Sequence, residues 1–215
     1  MEAVNYKFME ASCTDFAEKL ASKSPVPGGG GASAYVGSLA ASLLLMYLNL
    51  SIGKKAFAKN EEELKQGRDD LEKISLNLRE LVEKDALGFL PLSQAYKIKA
   101  ESPEEKLKKE EIMESALKEA CKAPMDIVRN CLKIVEWSEK LWDKGSRLAL
   151  TDAASGLILA KSAMKTASLN VTINTAMLKD GSAKKAIEGE MKNMLDRGQE
   201  IHDEIIDKIL KTINS

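Results

Sequence analysis

SPVPGGGGASAYVGSLAASLLLMYLNLSIG, residues 24–53, runs from Ser24 to Gly53 without a single charged side chain. Its two prolines end whatever helix precedes them, because proline lacks the N–H and forces its predecessor out of helical geometry. The glycines then lead into an apolar stretch that predicts a helix from about Ala32 to Ala58. At a 3-4 spacing one face of it reads Ala34, Gly37, Ala41, Leu44, Leu48, Ser51, and residues at that spacing share a face. A second such seam, Ala153, Gly156, Ala160, Ala163, Ala167, Asn170, Asn174, lies on a helix expected from about Leu148 to Leu178. Small residues let helix backbones approach closely, so both helices are expected at the centre, packed on each other or on a symmetry mate. The uncharged run is also long enough to span a bilayer. Ser33, Ser38, Ser42, Asn49 and Ser51 spread polarity through it, however, and no comparable segment follows. The expectation is therefore a wholly buried helix of a soluble all-α oligomer, with no membrane partner.

The rest of the chain agrees with a helical protein. Its 215 residues, 44% of them hydrophobic, are enough for one core, read as a single domain over 1–215. Leu, Ala, Lys and Glu dominate and strand-favouring residues are sparse. Further helices are expected over about Asn5–Ser22, about Glu61–Lys97 with a kink at Pro91, and from Ser102 onward, where Ser102-Pro103-Glu104-Glu105 forms a capping box. Pro124 should bend or divide that fourth helix, and Asp143-Lys144-Gly145 should end it with Gly145 in a left-handed turn. A last helix runs from Ser182 nearly to the C-terminus. About six helices in an orthogonal or up-down bundle result.

Composition excludes several functions. Lys+Arg 32 against Asp+Glu 33 leaves net charge −1, which gives a polyanion no overall attraction, so no nucleic-acid partner is expected. Three cysteines without a CxxC pair and one histidine make a Cys/His metal site untenable. A reducing, cytoplasmic setting is expected, since the layout before the first apolar stretch is wrong for a secretory signal.

Chemistry is expected at a few positions. In the third helix the stripe Leu71, Ile74, Leu78, Leu81 continues at the same spacing onto Asp85. Burial of a carboxylate raises its pKa and produces an acid/base usable near neutrality, unless a lysine pairs with it or it only secures the Pro91 kink. Asn170 and Asn174 should point into one space, either to orient a polar heterocycle or to bond between helices. Asp152, after Thr151, opens the fifth helix as a reactive carboxylate or as a partner of the helix dipole. The glycine run meets a helix N-terminus, where free N–H groups and close approach suit a polar ligand or a tight connector. Lys54 and Lys55 could hold a carboxylate or form a solvated helix end. His202 sits among acidic residues with no catalytic role, and the three thiols and the methionines read as packing material.

Taken in order, Ser24-Pro25-Val26-Pro27-Gly28-Gly29-Gly30, then Asn49-Leu50-Ser51-Ile52-Gly53-Lys54-Lys55, Asp85, Ala123-Pro124-Met125, Thr151-Asp152-Ala153 and Asn170-Val171-Thr172-Ile173-Asn174 resemble the motifs of the formiminotetrahydrofolate cyclodeaminase and methenyltetrahydrofolate cyclohydrolase family. The resemblance covers about residues 8 to 180. It implies an all-helical homodimer, with no metal and no cofactor beyond the tetrahydrofolate substrate, as a stand-alone form of a domain that follows a formiminotransferase in larger relatives. It further implies Asp85 as acid/base, Asp152 as a second carboxylate, and a ligand seat of Pro27, Gly28, Gly29, Gly30, Asn49, Asn170 and Asn174, with Lys54 or Lys55 near the glutamate tail. The preferred reaction is hydrolysis of 5,10-methenyltetrahydrofolate to 10-formyltetrahydrofolate, since a stand-alone domain has no attached source of formimino substrate. The alternatives are the ammonia-releasing cyclodeaminase reaction and a folate-binding or scaffold oligomer without activity.

Overall fold

A computed structural model describes residues 7–214. Among the described residues there are six α-helices and no strand: α1 Cys13–Ala21, α2 Gly29–Asn49, α3 Glu61–Tyr96, α4 Pro103–Leu141, α5 Leu150–Ala176 and α6 Gly181–Ile213. The first two residues of the expected Asn5–Ser22 helix lie outside the described range. The remainder of that segment forms a 3-10 turn, Phe8–Glu10, and a short α1 capped by Ser12 and Asp15.

α2 lies between α3 and α5, with α4 behind all three and α6 laid across α4 and α5. Both small-residue seams are buried as expected, from Ala34 to Leu48 on α2 and from Ala153 to Ala167 on α5. The two helices meet antiparallel: Gly29 lies against Asn170, the Ser33 and Thr166 hydroxyls bond at 2.8 Å, and Gly156 lies against Ala40. A Cβ on Gly156 would fall 2.8 Å from the Ala40 carbonyl oxygen. Glycine is therefore what sets the spacing of this pair.

Four expectations are corrected. α2 starts at Gly29, inside the glycine run, and stops at Asn49, because Gly53 (φ +78°) turns the chain and Lys55–Asn60 is a 3-10 segment. α2 is only half buried, since Leu39 and Met46 on its outer side are exposed. Pro124 does not divide α4, which runs unbroken from Pro103 to Leu141 behind the expected Ser102–Glu105 box. Gly145 is not left-handed; it is needed for close approach, because a Cβ there would lie 2.3 Å from the Ser51 hydroxyl. At that point the Tyr47 hydroxyl donates to the Leu141 carbonyl at 2.8 Å and accepts the Gly145 N–H at 2.6 Å. Burial pushes the Tyr47 phenol up to about 12, so it stays a donor and pins the α4–α5 connection to the end of α2.

Candidate active site

The first turn of α2 has no capping side chain of its own, and its leading N–H groups have no acceptor within the helix. Asp85, reached along the apolar stripe of α3, fills that gap. The Gly31 N–H donates to its carboxylate, so a carboxylate from one helix caps another and lies in the favourable field of that helix end. Contact is tight enough that a Cβ on Gly30 would fall 2.1 Å from Asp85 Oδ1. Gly28, Gly29 and Gly31 have ordinary room for a side chain, so of the glycine run only Gly30 is required by this contact.

No lysine or arginine pairs with Asp85 among the described residues; the adjacent Lys84 goes to Glu80 at 2.8 Å. Burial raises the Asp85 carboxyl from 3.8 to about 6, with the Gly31 N–H pulling the other way. Desolvation is the larger effect because one N–H replaces only part of the water a carboxylate loses.

A cleft of about 150 Å³ opens beside this carboxylate. Gly28, Gly29, Gly30, Asp85, Asn170 and Asn174 line it together with Pro25, Val26, Phe89, Ala120, Pro124 and Ile173. Asn170 Nδ2 donates to the Thr166 carbonyl at 3.3 Å, and Asn174 Nδ2 donates to the Ala120 carbonyl at 3.2 Å. Each amide thereby keeps its oxygen for another donor. The cleft thus offers a carboxylate poised near neutrality, amide acceptors, N–H donors of a helix end and the aromatic side chain of Phe89. That set suits a planar, polar heterocycle undergoing proton transfer.

The other expected residues are elsewhere. Pro27 is buried behind the turn and does not line the cleft. Asp152, Asn49, Lys54 and Lys55 stand at the opposite end of the α2–α5 pair. Asp152 and Asn170 belong to one helix and are separated along it by about 27 Å at ~1.5 Å per residue. Asn49, Lys54 and Lys55 are exposed. A single chain therefore does not gather these four with Asp85.

Phe89, Ile173 and the Ala120–Pro124 turn went unread as lining residues. Phe89 had a signal, one helical turn after Asp85 on the same face, and Pro124 and Ile173 stood within quoted motifs without a role; Ala120 had none, because facing helices meet only in the fold. His202 pairs with Asp203 at 2.9 Å, outside the cleft. Cys121 and Cys131 are buried, and burial pushes their thiols up to about 11 and about 12. Cys13 is exposed, which corrects its reading as packing material. Among the described residues no group of three or more His, Cys, Asp or Glu is placed to hold a metal ion.

The family model described as formiminotransferase-cyclodeaminase matches residues 12–193. A methenyltetrahydrofolate cyclohydrolase from Methylorubrum extorquens is 30% identical over 93% of this chain and 96% of its own. A formimidoyltransferase-cyclodeaminase from Rattus norvegicus is 26% identical over 87% of this chain, which spans 35% of that longer protein. The crystal structure of a formiminotetrahydrofolate cyclodeaminase from Thermotoga maritima superposes with a TM-score of 0.86 at 26% identity, covering 97% of this chain and 100% of that one.

Proposed function

Because the chain belongs to the formiminotransferase-cyclodeaminase family, we propose that it is a folate one-carbon enzyme that hydrolyses 5,10-methenyltetrahydrofolate to 10-formyltetrahydrofolate. The observation that carries this reading is Asp85, a carboxylate held at about 6 in the cleft beside Asn170 and Asn174. At pH 7 it is mostly ionised, yet it returns a proton readily.

In the reaction, water adds to the electrophilic carbon between the two folate nitrogens while Asp85 takes one of its protons. The tetrahedral adduct then breaks its bond to the pterin nitrogen, N5, which receives the proton back from Asp85. The remaining hydroxyl proton leaves to solvent as the formyl C=O forms on N10. Charge balances: a cation and water give a neutral formyl product and one proton. Asn170 and Asn174 orient the ring through their amide oxygens, and the Gly29 and Gly30 N–H groups line its seat.

Near-complete coverage of the bacterial cyclohydrolase supports this direction. The second reading is cyclodeamination, supported by the structural likeness to the Thermotoga protein; there N10 attacks the formimino carbon and ammonia leaves from it, forming the methenyl bridge. An absorbance assay offering both substrates decides, since the methenyl chromophore disappears in one reaction and appears in the other. Turnover of neither would refute the enzyme reading and leave a binding scaffold.

The same reading includes a cytoplasmic homodimer that needs no metal or further cofactor and has no nucleic-acid or membrane partner. The cleft is smaller than the ~300–1,000 Å³ usual for ligand pockets, so one chain encloses only part of a folate. The outer side of α2 and α5, away from α4, exposes Leu39, Met46, Leu50, Ile158, Leu169 and Ile173, a patch suited to self-association. A two-fold axis lying in that face and perpendicular to α2 would turn the second copy end for end. Its Asp152, Asn49 and lysine pair would then stand over the cleft of the first copy, as a second carboxylate and a site for the glutamate tail.

A further inference from the structure

We propose that Pro124 is a positioning residue for substrate: by withholding one backbone N–H it frees the Ala120 carbonyl to hold Asn174 with its amide oxygen facing the cleft. In an unbroken helix the N–H of residue 124 would bond the carbonyl of residue 120, and proline has none to give. Ala120 is buried, so its orphaned oxygen needs another donor. Asn174 Nδ2 supplies it from α5 at 3.2 Å.

A carbonyl only accepts, so this contact decides which end of the Asn174 amide faces which way. The NH2 group must turn to α4, and Oδ1 is left toward the ligand with no bond to any described residue. Asn170 is held differently: its Nδ2 shares the Thr166 carbonyl of its own helix at the longer distance of 3.3 Å. Pro124 and Ala120 both line the cleft with Asn174, so the helix defect lies where a ligand is read. A helix-breaking residue inside a continuous α4 thus has a reason beyond geometry: the donor it removes from α4 is replaced by the side chain that recognises the heterocycle.

The inference rests on the folate reading, and its test separates the two. Wild-type turnover in the absorbance assay checks the reading by itself. In Pro124→Ala the restored N–H competes for the Ala120 carbonyl. KM for 5,10-methenyltetrahydrofolate should then rise about tenfold, the scale of one hydrogen bond, with kcat within about threefold and Tm unchanged or raised. Lactic acid at position 124, which keeps the alanine methyl but carries an ester oxygen in place of the N–H, should restore the wild-type KM. Pro124→Ala should add nothing in an Asn174→Ala background. Independently of activity, the Asn174 side-chain NH2 resonance should move in Pro124→Ala and stay in place in the lactate variant. Equal impairment of both variants would mean that the proline ring itself matters and would overturn the inference. So would an unchanged KM, an unmoved resonance, or loss of the fold from an alanine that only completes a helix.

Discussion

Replacing Asp85 by asparagine tests the site through two quantities that move in opposite directions. Burial lifts this carboxyl from 3.8 to about 6, and each pH unit between those values corresponds to ~1.4 kcal/mol. The folded chain therefore binds the proton more tightly than the unfolded chain. The stability this gives is fully present below about pH 4 and lost as pH rises through about 6. At pH 8 the native state bears a desolvation cost of up to about 3 kcal/mol that a neutral asparagine, still able to accept the Gly31 N–H, does not bear. The stability of Asp85→Asn relative to wild type should thus grow by ~2 kcal/mol between pH 4.5 and 8, the remainder of the effect lying below pH 4.5. At roughly 2–4 °C per kcal/mol for a chain of this size, Tm should differ by several degrees. Urea unfolding at the two pH values measures the first quantity. Turnover should fall by about 10²–10⁴-fold, with wild-type kcat/KM rising through an apparent pKa near 6. A variant that retains a tenth of the activity, or one whose relative stability does not change with pH, would refute the assignment.

Other substitutions probe the surroundings. Gly30→Ala puts a methyl carbon on top of Asp85 Oδ1 and should cost about 10²-fold in turnover, read in the same assay, by displacing that carboxylate. Gly156→Ala drives a Cβ toward the Ala40 carbonyl and should destabilise by about 1–3 kcal/mol in urea unfolding. If the second copy completes the cleft, Asp85→Asn and Asp152→Asn should each be inactive as pure proteins. Refolded together in equal amounts they should recover about a quarter of wild-type activity, because mixed pairs carry one intact site; no recovery would leave Asp152 outside the chemistry.

What the sequence made legible is local. α3 ends within a residue of its expected limit, and the Ser102–Glu105 cap stands as read, because capping and periodicity are properties of neighbouring residues. Asp85 was visible as a charge on an apolar stripe. The seams of α2 and α5 were visible as well, since small residues at helical spacing have few uses other than close packing. The start of α2 was read three residues late, at about Ala32; a cap from α3 and the packing of Gly30 and Gly31 against Asp85 and Val82 of α3 hold Gly29–Gly31 in its first turn. The split of the site residues between two ends was illegible for another reason: their order along the chain says nothing about the direction in which two long helices pair. Asn174 reads in the sequence like any interhelical amide, because the Ala120 carbonyl that holds it belongs to a different helix.

Asp85 fastens the start of α2 through the Gly31 N–H; in the proposed mechanism it also accepts the reaction's proton, and a carboxyl grips an N–H less firmly once its charge is gone. Each proton uptake therefore slackens a turn built from the residue with most backbone freedom to regain, and each release tightens it. Under that mechanism the floor of the cleft would be softest while the tetrahedral adduct exists and firmest when fresh substrate arrives.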